Sequence, residues 1–418
     1  MLKFGFRNKN FYPIMLLLFI VLRTCLDKLM KIHPYKNNID FLLPFLIFVS
    51  QSLICFLIHL YYYKKKKRKK KEKNIINQLT TIELIINNPY LSTDSLIKIR
   101  FLIFFGSFFN FIGSIIRSDD VINFGKKEEN NSSLEVRIRS IQIVISSLLC
   151  YFTIRLIIYK HQKLSLIVIS FFLAILLILE LCRAESLLDK FLAILICTMS
   201  CLSRSFLDVI EKYLFDFNYI EILKIVVYEG FIALFFYIIY FFCNNKYQTQ
   251  AKYLVDDMSE FNWSFISFII LIIIYLIISG LRNAYRVATN KYYSPMSRAL
   301  FESAIDPILY LYNNLTIKNK EEYEGFWIYF GIIFFCLLVI SIFSLIYNDL
   351  IVLYCCGLEY NTYYGITNRL YSEKQTNFYD DNDSSSSDEE KDDNENKDKE
   401  KMFELTNTIK DQEEKIIY

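Results

Sequence analysis

Ten long apolar segments alternate with polar segments along the chain and set its architecture. Each approaches the roughly 20 apolar residues that a helix needs to cross the hydrocarbon core of a bilayer. The pattern therefore predicts an all-α polytopic membrane protein with ten transmembrane helices, numbered here as spans 1 to 10. The predicted spans cover residues 11–30, 41–62, 99–116, 141–159, 164–181, 187–210, 222–242, 265–281, 295–312 and 326–346.

The composition also favours a membrane protein. Of the 418 residues, 54% are hydrophobic and 17% are aromatic, which is too apolar for a soluble protein of this size. Most of the ten cysteines lie inside apolar segments, so we interpret them as buried thiols and not as a disulfide framework. Span 1 follows basic residues but precedes no cleavage site, which indicates a retained signal anchor.

Basic residues in short loops predict the orientation of the spans, because such loops stay on the cytoplasmic side. They cluster after spans 2, 4 and 8, so both termini are predicted to be cytoplasmic. The run after span 2 begins at Lys64, ends at Lys71 and forms part of the predicted basic loop 64–73; the other residues are Lys160, Lys163, Arg282, Arg286 and Lys291. The basic run has a second interpretation, attraction to anionic lipid in the cytoplasmic leaflet.

Glycosylation sequons give a separate indication of orientation. Asn130 and Asn131 follow span 3, and Asn314 follows span 9. Sequons are modified only on the lumenal or exterior side. Their positions after odd-numbered spans agree with the basic loops and predict a glycoprotein.

The ten spans divide into two groups of five. Because five is odd, the second group must be inverted relative to the first, and inverted repeats are typical of secondary transporters. The predicted organisation is a first repeat over residues 1–181, a second over residues 182–350 and an acidic, disordered cytoplasmic tail over residues 351–418. In the tail, Ser385, Ser386 and Ser387 precede acids and are candidate phosphorylation sites, while Cys355 and Cys356 are candidate palmitoylation sites or unmodified thiols.

Span 9 is the most informative segment because it carries three charged residues. Arg298, Glu302 and Asp306 are four residues apart and project from nearly the same helix face. Each costs roughly 2.5 to 3.5 kcal/mol near the bilayer centre, so that face should point into a protein interior or a water-filled cavity. The alternative is that Arg298 and Glu302 only pair with each other near the membrane surface.

Several short motifs resemble the drug/metabolite transporter superfamily, and within it the F branch of solute carrier family 35. The matching residues are Glu211-Lys212-Tyr213, Glu229-Gly230, Ser297-Arg298, Glu302-Ser303 and Tyr347-Asn348, in the family's order and spacing. Ala233, Ile305 and Asp306 depart from the pattern. The resemblance covers spans 3 to 10 and implies a ten-helix, nucleotide-sugar-transporter-like carrier of endomembranes such as Golgi, endosome, lysosome or vacuole. It implies either an exchanger of nucleotide-linked or other anionic metabolites or an orphan carrier.

The expected substrate-binding residues are Arg298, Glu302, Asp306, Ser297 and Glu229. Arg298 would hold an anionic small molecule, Glu302 would balance Arg298 in the empty site, and Asp306 would take part in proton coupling. Pro307 should bend the helix, because it leaves the Ser303 carbonyl without its helical partner.

A further group of charges lies around the loop between spans 6 and 7. Glu211, Lys212, Glu221 and Lys224 are interpreted as an interfacial, salt-bridged connector whose long side chains reach water. Glu229 is expected to lie deeper.

Other functions have little support in the sequence. The three histidines are far apart, and there is no phosphate-binding loop or GxSxG motif, so no enzyme, metal, cofactor or nucleic acid is predicted. The alternative function is a non-transporting membrane scaffold that recruits partners through the basic loop and acidic tail. The sequence is also compatible with a homodimer.

Overall fold

The computed structural model describes most of the apolar part of the chain. The described residues are 2–4, 11–33, 41–73, 93–118, 131–154, 158–182, 186–218, 220–257, 263–315 and 326–354, with 357, 358, 362 and 365. The predicted sites at Asn130, Cys355, Cys356 and Ser385 to Ser387 lie outside them. Contacts divide the chain into a unit Met1–Thr362, described below, and a second unit Tyr363–Tyr418.

The described part of the first unit is almost entirely helical. Helices α1 to α7 are Phe11–Ile32, Leu42–Val49, Cys55–Lys73, Thr93–Ser118, Asn131–Ile138, Ile141–Ile154 and Lys160–Cys182. Helices α8 to α14 are Leu187–Asn218, Ile222–Cys243, Asn245–Asp257, Trp263–Tyr292, Pro295–Ser303, Asp306–Leu315 and Phe326–Tyr347. A π-helical turn, Ser50–Ile54, joins α2 to α3. Two short strands, β1 (Leu2–Phe4) and β2 (Ile351–Leu353), pair antiparallel.

Eight helical stretches in the described ranges are long and apolar enough to cross a membrane. They are Leu42–Lys64, Ile97–Ile116, Val136–Thr153, Lys160–Cys182, Leu187–Asn218, Ile222–Cys243, Trp263–Tyr292 and Trp327–Tyr347. These correspond to predicted spans 2 to 8 and span 10, and they are compatible with a multi-pass integral membrane protein. Spans 1 and 9 also fall on helices, α1 and the pair α12 and α13, which carry more polar residues.

The distribution of side chains is the reverse of that in a soluble protein. Phe171 and Ile167 point outward and are 62% and 67% exposed, whereas charged residues such as Glu211 lie inside. Both tryptophans, Trp263 and Trp327, lie at helix starts and are exposed, as expected at a membrane interface.

The basic residues assigned to the three predicted loops lie in helices, so their assignment to loops was wrong, while the predicted orientation stays a prediction. The run from Lys64 to Lys71 continues α3 through Lys73, and Lys160 begins α7. Arg282 and Arg286 lie inside α11 and are buried. These two arginines therefore give no indication of orientation, because they are buried inside a helix and do not lie in a short loop.

Turns separate consecutive helices at two places in or beside the predicted spans. One turn, at Arg139 and Ser140 between α5 and α6, lies just before predicted span 4, and the other, at Ala304 and Ile305 between α12 and α13, lies inside predicted span 9. The second break lies just before Pro307, where a bend was predicted, since proline cannot donate to the carbonyl of the preceding turn.

The start of α12 follows directly from its sequence. Ser294 is the N-cap and accepts a hydrogen bond from the Ser297 backbone N–H at 3.0 Å, and Pro295 occupies the first helical position. Ser297 thus belongs to the capping turn, and its hydroxyl accepts from Ser294 at 3.0 Å.

The π-helical turn is held between two glycines of neighbouring helices. A Cβ on Gly230 of α9 would lie 2.6 Å from the Ser52 backbone nitrogen, and one on Gly280 of α11 would lie 2.9 Å from Ile54 Cβ. Only hydrogen fits at these positions, so the backbones approach closely. This packing places Gln51 in the interior and Glu229 beside the turn.

Side-chain contacts identify the two ends of the bundle. At one end, here the Lys28 end, Lys28 Nζ donates to the Tyr312 carbonyl at 3.3 Å and lies 3.8 Å from the Tyr312 ring centroid. At the other, the Tyr292 end, the rings of Tyr12 and Tyr292 stack at 4.6 Å. Helix α1 therefore runs from the Tyr292 end to the Lys28 end.

Candidate functional site

A cavity of about 340 Å³ lies between α1, α2, α4, α8, α11 and the two interrupted helices. Among the described residues, seven cationic and three acidic side chains line it. The cations are Arg23, Lys28, Arg139, Arg204, Arg282, Arg286 and Arg298, and the acids are Asp27, Asp208 and Glu302. Most of its lining charge is therefore positive.

The exposed fraction of the lining residues indicates where water reaches the cavity. The Asp27 side chain is 33% exposed and lies one turn from Arg23, whereas the Arg298 side chain is 2% exposed. Arg23 lies 5.6 Å from the Tyr275 ring centroid and 3.9 Å from Asp27. The cavity is thus more accessible from the Lys28 end, and Arg298 lies deep within it.

Asp208 of α8 is at the centre of an ion-pair network at the inner end of the cavity. It accepts from Arg286 Nη1 at 2.8 Å and forms a short hydrogen bond with Arg298. Gln142 donates to its Oδ2 at 3.4 Å. Asp208 is fully buried, and two guanidinium groups compensate its charge in the low-dielectric interior.

Arg286 connects Asp208 to two further carboxyl groups. Its Nη2 lies 2.5 Å from Glu211 Oε1 and 3.6 Å from Glu229 Oε2. Asn290 donates to Glu211 Oε2 at 2.9 Å and to the Asp208 carbonyl at 2.7 Å. Helices α8, α9 and α11 are therefore joined by one buried polar network.

Glu302 lies one turn from Arg298 and pairs with two arginines. Its Oε1 is 3.0 Å from Arg298 Nη1 and 3.5 Å from Arg282 Nη2. Arg298 therefore has Glu302 as a partner, as expected, but also Asp208, and it faces a cavity deep in the protein. The alternative in which Arg298 pairs only with Glu302 at the membrane surface is contradicted.

The third charged residue of span 9 forms its own pair. Asp306 Oδ1 lies 3.1 Å from Arg139 Nη1, so the residues at the two helix breaks contact each other. A neighbouring buried group contains Glu180, whose Oε1 is 2.5 Å from Arg137 and whose Oε2 is 3.5 Å from Lys190. Asp306 is thus part of a link between interrupted helices.

The structure brings together only some of the predicted site residues. Arg298 and Glu302 line the cavity, while Asp306 and Glu229 lie behind it and contact lining arginines. Ser297 is buried in the capping turn and is not among the described lining residues.

Sequence reasoning missed most of the network. Asp208, Arg282 and Arg286 were not predicted as site residues, and Glu211 was placed at the interface although it is fully buried. That interpretation of Glu211 was wrong because its partners, Arg286 and Asn290, are far away in sequence. The signal was present: Asp208 and Glu211, and Arg282 and Arg286, are spaced to share a helix face.

Neither a protein-family model nor a curated protein matches this chain. The structure by itself defines a class: a helical protein compatible with several membrane crossings, with a buried network of charges beside a largely cationic cavity. Placing such a cluster of charges inside a membrane costs free energy, and a cluster of this kind usually marks a functional site.

Proposed function

We propose that the protein is a secondary transporter that moves a small anion across a membrane. The observation that carries this proposal is the cavity in which cationic side chains outnumber acidic ones, placed beside two interrupted helices. Guanidinium groups keep their charge at any accessible pH and bind carboxylate or phosphate through two donors. The deep part of the cavity, around Arg298 and Glu302, is the substrate site in this proposal.

The positions of the broken helices support ten spans arranged as two inverted five-helix repeats. One break lies directly before span 4 and the other lies inside span 9, and these are the fourth spans of the two halves. Interrupted helices at corresponding positions of two halves are the usual indication of a transporter binding site. Contact between Arg139 and Asp306 places the two breaks next to each other, as that architecture requires.

The resemblance to the nucleotide-sugar-transporter-like branch of solute carrier family 35 extends the proposal. Glu211, Glu229-Gly230, Arg298 and Glu302, which carry the resemblance, all lie in or beside the buried network. A nucleotide-linked or other phosphate-bearing metabolite fits a cationic cavity. An endomembrane location, with both termini cytoplasmic, belongs to the same proposal and would open the cavity toward the lumen.

A membrane scaffold is the second candidate, but the interior of the protein argues against it. A scaffold requires exposed contact surfaces and gains nothing from charges lining an internal cavity, each costly to insert. The basic end of α3 remains available for contact with anionic lipid under either function.

Purified protein in liposomes should accumulate at least one radiolabelled anion from a panel of nucleotides, nucleotide sugars, sugar phosphates and dicarboxylates. Arg23→Gln should raise the KM for that anion several-fold, because it removes a positive charge that attracts the anion on its way to the deep site. Arg23 lies near the cavity entrance and is only weakly paired, so folding should survive.

The matched control for this assay is Lys252→Gln, which removes an exposed positive charge on α10, away from the cavity. Its KM should equal that of the wild type. Folded protein that accumulates none of the anions above empty liposomes would contradict the proposed function.

The proposed orientation can be tested separately from transport. A peptide tag placed after Tyr418 should be digested by protease added to intact, sealed organelles, because the proposal puts both termini in the cytoplasm. Protection of the tag until the membrane is permeabilised would show that the orientation is reversed.

A further inference from the structure

Two buried carboxyl groups lie behind the cavity, on the side of Arg286 away from its opening. Glu211 of α8 and Glu229 of α9 are 0% and 1% exposed, and neither is among the described residues that line the cavity. Both approach the same nitrogen, Arg286 Nη2, at 2.5 and 3.6 Å. The guanidinium group of Arg286 thus contacts this pair and Asp208 as well.

Because both carboxyl groups approach this one nitrogen, they lie close to each other. Two ionised carboxylates this close in a buried site repel each other, and a proton on one of them removes the repulsion and can be shared with the other. Glu229 Oε2 has no hydrogen-bond partner although it is buried. This arrangement fits a pair of carboxyl groups that shares one proton.

The charges around the pair lead to the same conclusion. Three carboxyl groups, those of Asp208, Glu211 and Glu229, contact the single guanidinium group of Arg286, and Asp208 has Arg298 as a second cationic partner. Carboxylates that crowd together in a low dielectric cannot all remain ionised, and a proton removes the excess negative charge.

Other charged groups on the surrounding helices are directed elsewhere. Lys212 donates to the Lys291 carbonyl and pairs with Asp216, and Lys98 of α4 donates to the Tyr213 hydroxyl. On α3, His59 lies 3.9 Å from Glu221. On α4, the backbone at Gly106 approaches Glu229 and contributes no charge. Arg286 and Asp208 are therefore the charged groups that act most directly on the pair.

We propose that Glu211 and Glu229 form a proton-binding site, and that a proton bound there travels with the anion held in the cavity. The coupling rests on the proposed transport function, whereas the proton site does not. Arg286 connects the two sites because it contacts the pair on one side and lines the cavity on the other.

The direction of coupling follows from the position of Arg286. An anion in the cavity partly neutralises the positive charge of Arg286. The Glu211 and Glu229 pair behind Arg286 then binds its proton more tightly. By reciprocity, a proton on the pair frees Arg286 to bind the anion. Proton and anion therefore bind together, as in symport. This proposal assigns the proton to a different place from Asp306, which lies 3.1 Å from Arg139 at the helix breaks.

The proton site can be tested without knowing the substrate. Infrared spectra of the purified full-length protein in lipid nanodiscs should show, at neutral pH, the C=O stretch of a protonated carboxyl group equivalent to one per chain. Alkaline titration should remove the band. Glu229→Gln and Glu211→Gln should each abolish it, and both variants should fold, because the amide imitates a protonated carboxyl group.

The control variant is Glu180→Gln. Glu180 is equally buried but has two cationic partners, Arg137 and Lys190, so its replacement should leave the band unchanged. A wild-type spectrum without the band, or a band that persists in both Glu211→Gln and Glu229→Gln, would overturn the proton site.

Coupling is tested with whichever anion the uptake panel identifies. An acidic exterior should stimulate uptake several-fold in the wild type and leave Glu229→Gln unaffected. Equal stimulation of both proteins would reject coupling through this pair even if transport is established. If no anion is transported, the infrared result still decides whether the proton site exists.

Discussion

Arg286→Gln should remove most of the folded protein. The substitution leaves Glu211 and Glu229 without their guanidinium partner and leaves Asp208 with Arg298 alone. Removing one member of a buried ion pair typically costs 3 to 5 kcal/mol, because the remaining charge is uncompensated. That is a large fraction of the stability of a typical protein. Size-exclusion chromatography after a series of heating steps in detergent measures the loss.

Two further variants test whether the loss of stability comes from the uncompensated buried charges or from the substitution itself. Lys224→Gln removes a cation whose ion pair with Glu221 is about half exposed, and it should change the melting temperature little. The double variant Arg286→Gln with Glu211→Gln removes one charge of each sign and should recover part of the stability. If Arg286→Gln melts like Lys224→Gln, the network is not what holds α8, α9 and α11 together.

Hydropathy located the helices because a bilayer selects for length and apolarity directly. Each of the ten predicted spans overlaps a helix of the structure. The ends were less well predicted, and α11 shows why. The prediction stopped at residue 281, where Arg282 and Arg286 interrupt the apolar pattern, whereas the helix continues to Tyr292. Partners on other helices allow those arginines to stay buried, and hydropathy contains no information about partners.

The site was predictable only where charge is dense along the chain. Span 9 carries three charges at helical spacing, so Arg298 and Glu302 were found. Asp208 lies near the end of a long apolar segment, and averaging hydropathy over the segment hides it. Its importance comes from Arg286 and Arg298, which are distant in sequence and meet it only after the helices pack.

The interrupted helices illustrate a second limit of prediction from the sequence. Pro307 gave a local reason to expect a bend in span 9, and the break lies just before it. No proline lies near the break at Arg139 and Ser140, just before span 4. The ion pair between Arg139 and Asp306 links this turn to the other break, which no local signal could have indicated.

Gly230→Ala should disrupt the packing that positions Glu229 and the inner end of the cavity. The added methyl group would lie 2.6 Å from the Ser52 nitrogen and 2.7 Å from Gln51 Cβ, so the backbone of the π-helical turn would have to move. Overpacking of this kind usually costs about 1 to 3 kcal/mol, and backbone on the opposing side leaves little room for relief. The melting temperature should fall clearly below that of the wild type. Gly331→Ala is the matched control, because a Cβ there meets nothing within 4 Å, and it should melt like the wild type or slightly higher, as alanine favours a helix over glycine. Equal melting temperatures for Gly230→Ala and Gly331→Ala would show that the close approach of α9 to the π-helical turn does not stabilise the fold.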